Sequence, residues 1–235
     1  MRIAALYDIH GNLPALEAVL ADVDAAGADI VLVGGDVLSG PFPAESLDAL
    51  DALGDRVVYV RGNADREVLA GGEGDRSWCL NALRPDQPRR AAEWPLTVTL
   101  DADGLGPVLF CHATPQSDEA FLTPATPEEA VADALAGVAE DVVVYGHIHV
   151  QYERGERPRL VNPGSVGWPH EDRRGAYWAL FGPEVEFRRT EYDVDEAIAR
   201  IGATGYPQTE FMVDTLLNPP TPEEATEHFE KLRGA

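Results

Sequence analysis

The chain has almost no lysine. Lys231 is the only one, and its 18 basic residues face 41 acidic ones, giving a formal net charge of -23 over 235 residues. So negative a surface repels nucleic-acid polymers and anionic lipid, which excludes both as favoured partners. Cysteine is nearly absent too. Cys79 and Cys111 are the only two, too few for a disulfide framework, and the cytoplasm is the expected compartment. No apolar run approaches the ~20 residues of a membrane-spanning helix. The N-terminal residues meet a charge at Asp8 and read as a strand, not an export signal. Internal repeats, low-complexity tracts and long linkers are missing. One domain over 1–235 is therefore expected, with a partly mobile insertion near 71–93 and C-terminal helices within 193–235. The acids are scattered, as in a proteome-wide adaptation, although acids gathered at one site would attract divalent cations. Oligomeric state is not legible.

What the chain does have is a rhythm of short apolar runs. Residues 2–7 alternate little, as in a strand buried on both faces. Pro14 opens a helix over about 14–26, with Leu16, Val19, Leu20 and Val23 on one face, and Gly27 ends it. Residues 29–33 and 56–60 read as further buried strands, with a helix over 43–53 between them. This order predicts parallel strands and right-handed crossovers, hence an α/β fold. Residues 96–100 and 108–111 read as an antiparallel pair. A helix over 127–137 is expected to be capped by Thr126, followed by a strand at 142–145. Short strands at 150–154, 159–162, 175–181 and 184–190 precede helices at 193–202 and 221–233. The segment 204–220 reads as a surface excursion. Trp78, Trp94 and Trp178 read as core, whereas Trp168 fits either core or a cleft.

Four short words end four of these runs: Asp8-Ile9-His10-Gly11-Asn12, Gly35-Asp36, Gly62-Asn63-Ala64-Asp65 and Gly146-His147-Ile148-His149. His112 closes the run at 108–111. Alone, each residue is more often a turn, a cap or a satisfied polar group than a ligand. Together they place four of the six histidines and several acids where the strands of an open sheet converge on one crevice. Asp8 and His10, two apart, are able to reach one cation. The glycines before Asp36 let the backbone approach closely. Asn63 is a neutral oxygen donor suited to a hard or borderline cation.

In this order the words resemble the calcineurin-like metallophosphoesterase superfamily, and most of all its small bacterial and archaeal single-domain phosphodiesterases. Asp8–Asn12 and Asn162-Pro163-Gly164-Ser165-Val166-Gly167 carry that closer likeness. It spans residue 1 to about 190, and the last 45 residues add little. The resemblance implies a four-layer αββα sandwich of two mixed sheets flanked by helices. It implies two divalent cations, Mn²⁺ foremost, with Fe²⁺, Zn²⁺ or Mg²⁺ as alternatives. One would be held by Asp8, His10, Asp36 and His149, the other by Asp36, Asn63, His112 and His147. Asp36, Asn63 and His149 would act directly in catalysis, through attack of a hydroxide bridging the two metals on a nucleotide or other small phosphoester. Asn12, Arg61 and His170 are the expected substrate contacts, and Arg61 fits an ion pair equally well. Many members carry a histidine after the Gly-Asn that assists the leaving group. Ala64 stands there, so the proton donor is unassigned, with His170 a candidate. Asp65 is expected to be structural, and the Asn162–Ser165 turn to orient the Gly-His-x-His loop. A serine/threonine-type protein phosphatase, a dinucleoside polyphosphate hydrolase and a non-catalytic scaffold are the alternatives.

Overall fold

The computed structural model of the chain describes residues 1–234. In chain order its first half runs β1 (Ile3–Leu6), α1 (Leu13–Ala26), β2 (Ile30–Val33), α2 (Pro43–Asp51), β3 (Val57–Tyr59), α3 (Asn63–Ala70), α4 (Asp75–Ala82), α5 (Gln87–Ala91), β4 (Thr97–Ala102) and β5 (Gly106–Cys111). The second half runs α6 (Glu128–Ala134), β6 (Val142–Val144), β7 (Gln151–Arg154), β8 (Arg159–Pro163), β9 (Ala176–Phe181), β10 (Val185–Thr190), α7 (Val194–Gly202), α8 (Thr209–Leu217) and α9 (Pro222–Arg233).

The strands form two mixed five-stranded sheets, ordered β10-β9-β1-β2-β3 and β4-β5-β6-β8-β7. β1, β2 and β3 are parallel, as are β5, β6 and β8, so the carboxyl ends within each set lie along one edge. Side-chain alternation builds the layers. Ile3 and Ala5 face the space between the sheets with Phe110, Val144 and Phe181. Ala4 and Leu6 face the other way, onto Leu16 and Val19 of α1 and onto Trp178. Leu109, Val143 and Leu160 of the second sheet pack beneath Val131 and Leu135 of α6 and the residue after it. Helices therefore cover both outer faces, giving the αββα sandwich that was expected. Each fully buried aliphatic side chain contributes about 1.5–3 kcal/mol. The Tyr7 hydroxyl donates to the Val144 carbonyl at 3.2 Å, tying the two sheets together.

Several expectations are corrected. Residues 63–70 form a helix that the sequence pattern does not announce. Asp65, at its third position, accepts the Gly62 N–H and so caps the first turn. The segment 204–220 holds α8, which buries Met212 and Leu216 against Ile201. Thr126 does not cap α6, because its hydroxyl donates to Glu230 and Pro127 takes the cap position. Thr221 does cap α9, with Glu224 returning a bond to its backbone. Trp178 is core. Trp94 is half-buried and stacks on Tyr59, while Trp78 meets Tyr206 edge-on.

Candidate metal centre

The chain turns sharply where the strands end. Asp8, His10, Asp36, His147 and His149 are the described non-glycine residues with a left-handed backbone, at φ of 52°, 46°, 54°, 69° and 60°. That conformation is costly for a residue with a Cβ and is tolerated where the surroundings over-determine it. Here they do. His10 N–H donates to the Asp36 carbonyl at 2.8 Å, and Val166 N–H to the Tyr7 carbonyl at 2.9 Å. Ser165 Oγ donates to the Asp8 carbonyl at 2.8 Å. The glycines of the words have a steric reason. A Cβ on Gly62 would lie 2.1 Å from Asp36 Oδ1, and one on Gly146 2.6 Å from Asp8 Oδ2.

These turns gather two sets of donors, Asp8 with His10 and His149, and Asp36 with His112 and His147. In the first, His10 Nε2 lies 3.2 Å from His149 Nε2, and His149 Nε2 lies 3.5 Å from Asp8 Oδ1. In the second, His112 Nε2 is 3.2 Å from His147 Nδ1 and 3.1 Å from Asn63 Oδ1. Asp36 Oδ2 lies between the sets, 3.6 Å from His10 Nε2 and 3.5 Å from His112 Nε2. All seven residues expected as ligands are thus brought together.

The hydrogen bonds behind the rings decide where the lone pairs point. His149 Nδ1 faces the Trp168 carbonyl at 2.7 Å, and His112 Nδ1 faces the Gly34 carbonyl at 2.8 Å. A carbonyl only accepts, so each Nδ1 carries its ring's proton and each Nε2 turns a lone pair inward. Asp8 Oδ1 is buried and has no hydrogen-bond partner. Lone pairs facing one another at these distances fit a cation between them, and mixed imidazole, carboxylate and amide donors suit a borderline divalent ion. The electrostatics agree. Burial, reinforced by the neighbouring imidazoles His149 and His112, pushes His10 and His147 down to about 3, so both stay neutral and able to bind metal. Burial is offset at His112 by Asp36 and Asp8, which raise its pKa. Burial drives the Asp36 carboxyl up, and Asp65 and Asp8 add to that. A cation beside Asp36 removes the penalty on its ionised form.

The other expected site residues divide. Asp65 is fully buried and accepts from the backbone N–H groups of Asp36, Val37, Leu38 and Gly62 at 2.8–3.0 Å, the structural role expected of it. Asn162 Nδ2 donates to the Gly146 carbonyl at 2.9 Å, which fixes the Gly-His-x-His loop. His170 reaches the site, its ring 4.8 Å from that of His149, but burial first and His149 second hold it near 3. It is neutral at pH 7 and not a ready proton donor. Asn12 does not reach the cleft. It is fully buried, with its amide engaged by the Gly167 carbonyl and the Ala15 N–H at the start of α1. Arg61 faces Asp118 at 3.6 Å, the ion-pair role, and lies outside the cleft lining.

A cleft of about 560 Å³ opens above the donors. Trp168 and His170 form part of its wall, and α8 and α9 contribute Phe211, Asp214, Glu224, His228 and Phe229 among others. The reading of the sequence missed these C-terminal residues. The one available signal was Phe211, an aromatic side chain at the start of the apolar run Phe211-Met212-Val213.

Comparison with known proteins follows the same lines. The profile of the calcineurin-like phosphoesterase superfamily domain matches residues 1–181. An uncharacterized protein of Methanocaldococcus jannaschii is 27% identical over 237 aligned positions, covering 88% of this chain and 94% of its own. A phosphodiesterase of Escherichia coli, YfcE, is 31% identical over 194 positions, covering 77% of this chain and 87% of its own. A metallophosphoesterase structure from Sphaerobacter thermophilus superposes with a TM-score of 0.78 at 24% identity, covering 92% of this chain and 98% of that one, which supports the fold.

Proposed function

The chain belongs to the calcineurin-like phosphoesterase superfamily of metal-dependent hydrolases of phosphoester bonds, and on that footing we propose that it is a phosphodiesterase using two divalent cations, Mn²⁺ foremost, on a nucleotide or another small phosphoester. The observation that carries this reading is the position of Asp36 Oδ2, 3.5–3.6 Å from a histidine nitrogen of each donor set, where one carboxylate would serve two ions. Asp8, His10, Asp36 and His149 would hold one ion, and Asp36, Asn63, His112 and His147 the other. Bound there, the cations supply neutralisation of charge on the phosphoryl oxygens and a water acidified enough to act as a nucleophile near neutral pH.

The protein's own groups prepare that site. The Trp168 and Gly34 carbonyls fix the tautomers of His149 and His112. Asp65 freezes the Asp36–Leu38 turn through three of its four N–H donors. Outer contacts of this kind are typically worth 10–100-fold in metal affinity. A diester is favoured over a protein phosphomonoester because Ala64 replaces the histidine that assists leaving groups in many members. The name of the Escherichia coli relative points the same way. We assign the whole chain to one domain, supported by α8 and α9 lining the same cleft as loops from both sheets. We place it in the cytoplasm, supported by the buried free thiols of Cys79 and Cys111.

The test is Mn²⁺-dependent hydrolysis of bis(4-nitrophenyl) phosphate by the parent protein and by Asp36→Asn, beside the monoester 4-nitrophenyl phosphate. The reading expects diester turnover that needs metal and collapses in the variant. Folded, metal-loaded protein without such turnover would refute it, and a faster monoester would refute the diester assignment.

A further inference from the structure

Aromatic rings surround the donor sets. Trp168 stands edge-on to His10 at 5.4 Å, and Phe211 of α8 meets Trp168 at 5.4 Å. Phe121, behind the cleft lining, stacks on His147 at 4.9 Å and 12°, and Phe229 of α9, which does line the cleft, stands 5.2 Å from Phe121 and 6.0 Å from His170. Phe211 is 60% exposed, which is unusual for so large an apolar side chain and places it at the cleft mouth. Away from the donor sets the wall carries two carboxylates, Asp214 and Glu224, and the imidazole of His228, and no arginine or lysine is among the described residues that line it.

These features discriminate between phosphoesters. With cations bound, the donor sets would meet the charge of one phosphoryl group, but a second phosphate would find no arginine or lysine and would approach the carboxylates of Asp214 and Glu224, with the imidazole of His228 beside them. Polyphosphate-binding sites normally carry arginine, lysine or a ring of backbone N–H donors. Flat apolar groups, in contrast, find the Trp168–Phe211 pair and the ring of Phe229 in the wall. We propose that this cleft selects a singly charged phosphodiester bearing an aromatic ring system, seated against the Trp168–Phe211 pair or Phe229, and turns away polyphosphates. Phe211 and Phe229 are then specificity-determining residues, contributed by the C-terminal helices. The inference rests on the phosphodiesterase reading and narrows it, excluding dinucleoside polyphosphates.

Non-hydrolysable probes test it by calorimetry on the Mn²⁺-loaded protein. Diphenylphosphinate and dimethylphosphinate carry the same single charge and differ in their rings. Diphenylphosphinate should bind at least about tenfold tighter, the lower range of what stacking on one aromatic side chain contributes. The ratio of the two affinities should fall several-fold in Phe211→Ala, whose exposed position makes misfolding a minor risk. A non-hydrolysable diphosphate analogue, methylenebis(phenylphosphinate), with two charges and only P–C bonds, should bind more weakly than diphenylphosphinate. A nucleobase and a plain aryl group are told apart with the Rp phosphorothioate of adenosine 3′,5′-cyclic phosphate. If the amine of a base meets the acids, Asp214→Asn/Glu224→Gln weakens this probe and spares diphenylphosphinate; if an aryl group is the natural occupant, the double variant changes neither. Equal affinities for the two phosphinates, an unchanged ratio in Phe211→Ala or tighter binding of the diphosphate analogue would each overturn the proposal and leave the phosphodiesterase reading standing. Failure of both phosphinates to bind, with no metal-dependent turnover, would overturn both.

Discussion

The backbone N–H of His147 donates to Oδ2 of Asp8 at 3.0 Å, joining two loops 139 residues apart in the chain. The other oxygen, Oδ1, is left facing His149 Nε2 at 3.5 Å with no proton between them. One carboxylate thus fastens the second sheet's loop to the first sheet and presents a donor atom to a cation. Asp8→Asn separates the two tasks. The amide oxygen is able to keep the His147 bond, but its NH₂ then points at the imidazole lone pair and blocks the ion. The variant should stay folded while losing the thermal stabilisation that Mn²⁺ gives through this donor set, up to about 2.7 kcal/mol at a metal concentration 100 times Kd. Thermal melts with and without Mn²⁺ measure this, and an undiminished metal-dependent gain would count against Asp8 as a ligand.

Asp65 carries four backbone N–H groups on two oxygens in a fully buried position. In Asp65→Asn an NH₂ must face some of those donors, leaving them unsatisfied at about 1–3 kcal/mol each. Urea unfolding should show a loss of at least about 2 kcal/mol. A loss below 0.5 kcal/mol, roughly the level of an ordinary surface change, would mean the turn does not depend on it.

Asn162 reaches no donor set, yet its amide holds the Gly146 carbonyl and accepts the Gly164 N–H. Asn162→Ala loosens the loop that aims His147 and His149. Mn²⁺ affinity is expected to drop about 10–100-fold, a cost typical of contacts behind a ligand. Titration calorimetry checks it, and parent-like affinity would show that the loop holds its shape alone.

Glu171 gives a pH signature away from the donors. Burial raises its carboxyl from the usual 4.5 to about 7, with Asp172 and Glu223 adding to the rise. A raised folded-state pKa stabilises the fold while the group is protonated, fully below pH 4.5, and that contribution disappears as pH climbs to 7. Glu171→Gln keeps an oxygen for the Gln151 N–H. It should match the parent near pH 4 and exceed it by on the order of 1 kcal/mol at pH 8, once solvent screening of this part-exposed group is allowed for. Melting curves at the two pH values check it, and no difference at pH 8 would contradict the shift.

Much of this was legible because it is local. The continuous apolar runs at 2–7, 29–33 and 142–145 encode doubly buried strands, and the ligand words sit at strand ends where parallel topology must bring them together. What escaped the sequence depends on distant partners. Asn12 looked available to substrate, but Gly167 and Ala15 occupy its amide. Asn63-Ala64-Asp65 looked like a turn, yet the Asp65 carboxylate that bridges to β2's loop also starts α3. The amphipathic pattern of α8 is short and ends near the prolines at 219 and 220, so its burial on Ile201 and its placement of Phe211 at the cleft are tertiary facts.

In the proposed site Asp36 would be shared by two cations. Crystals grown with Mn²⁺ and measured at the manganese absorption edge test it directly. Two anomalous peaks per chain are expected, one among Asp8, His10 and His149 and one among Asn63, His112 and His147, with Asp36 Oδ2 ligating both. A single peak, or two with Asp36 bound to neither or only one, would contradict it.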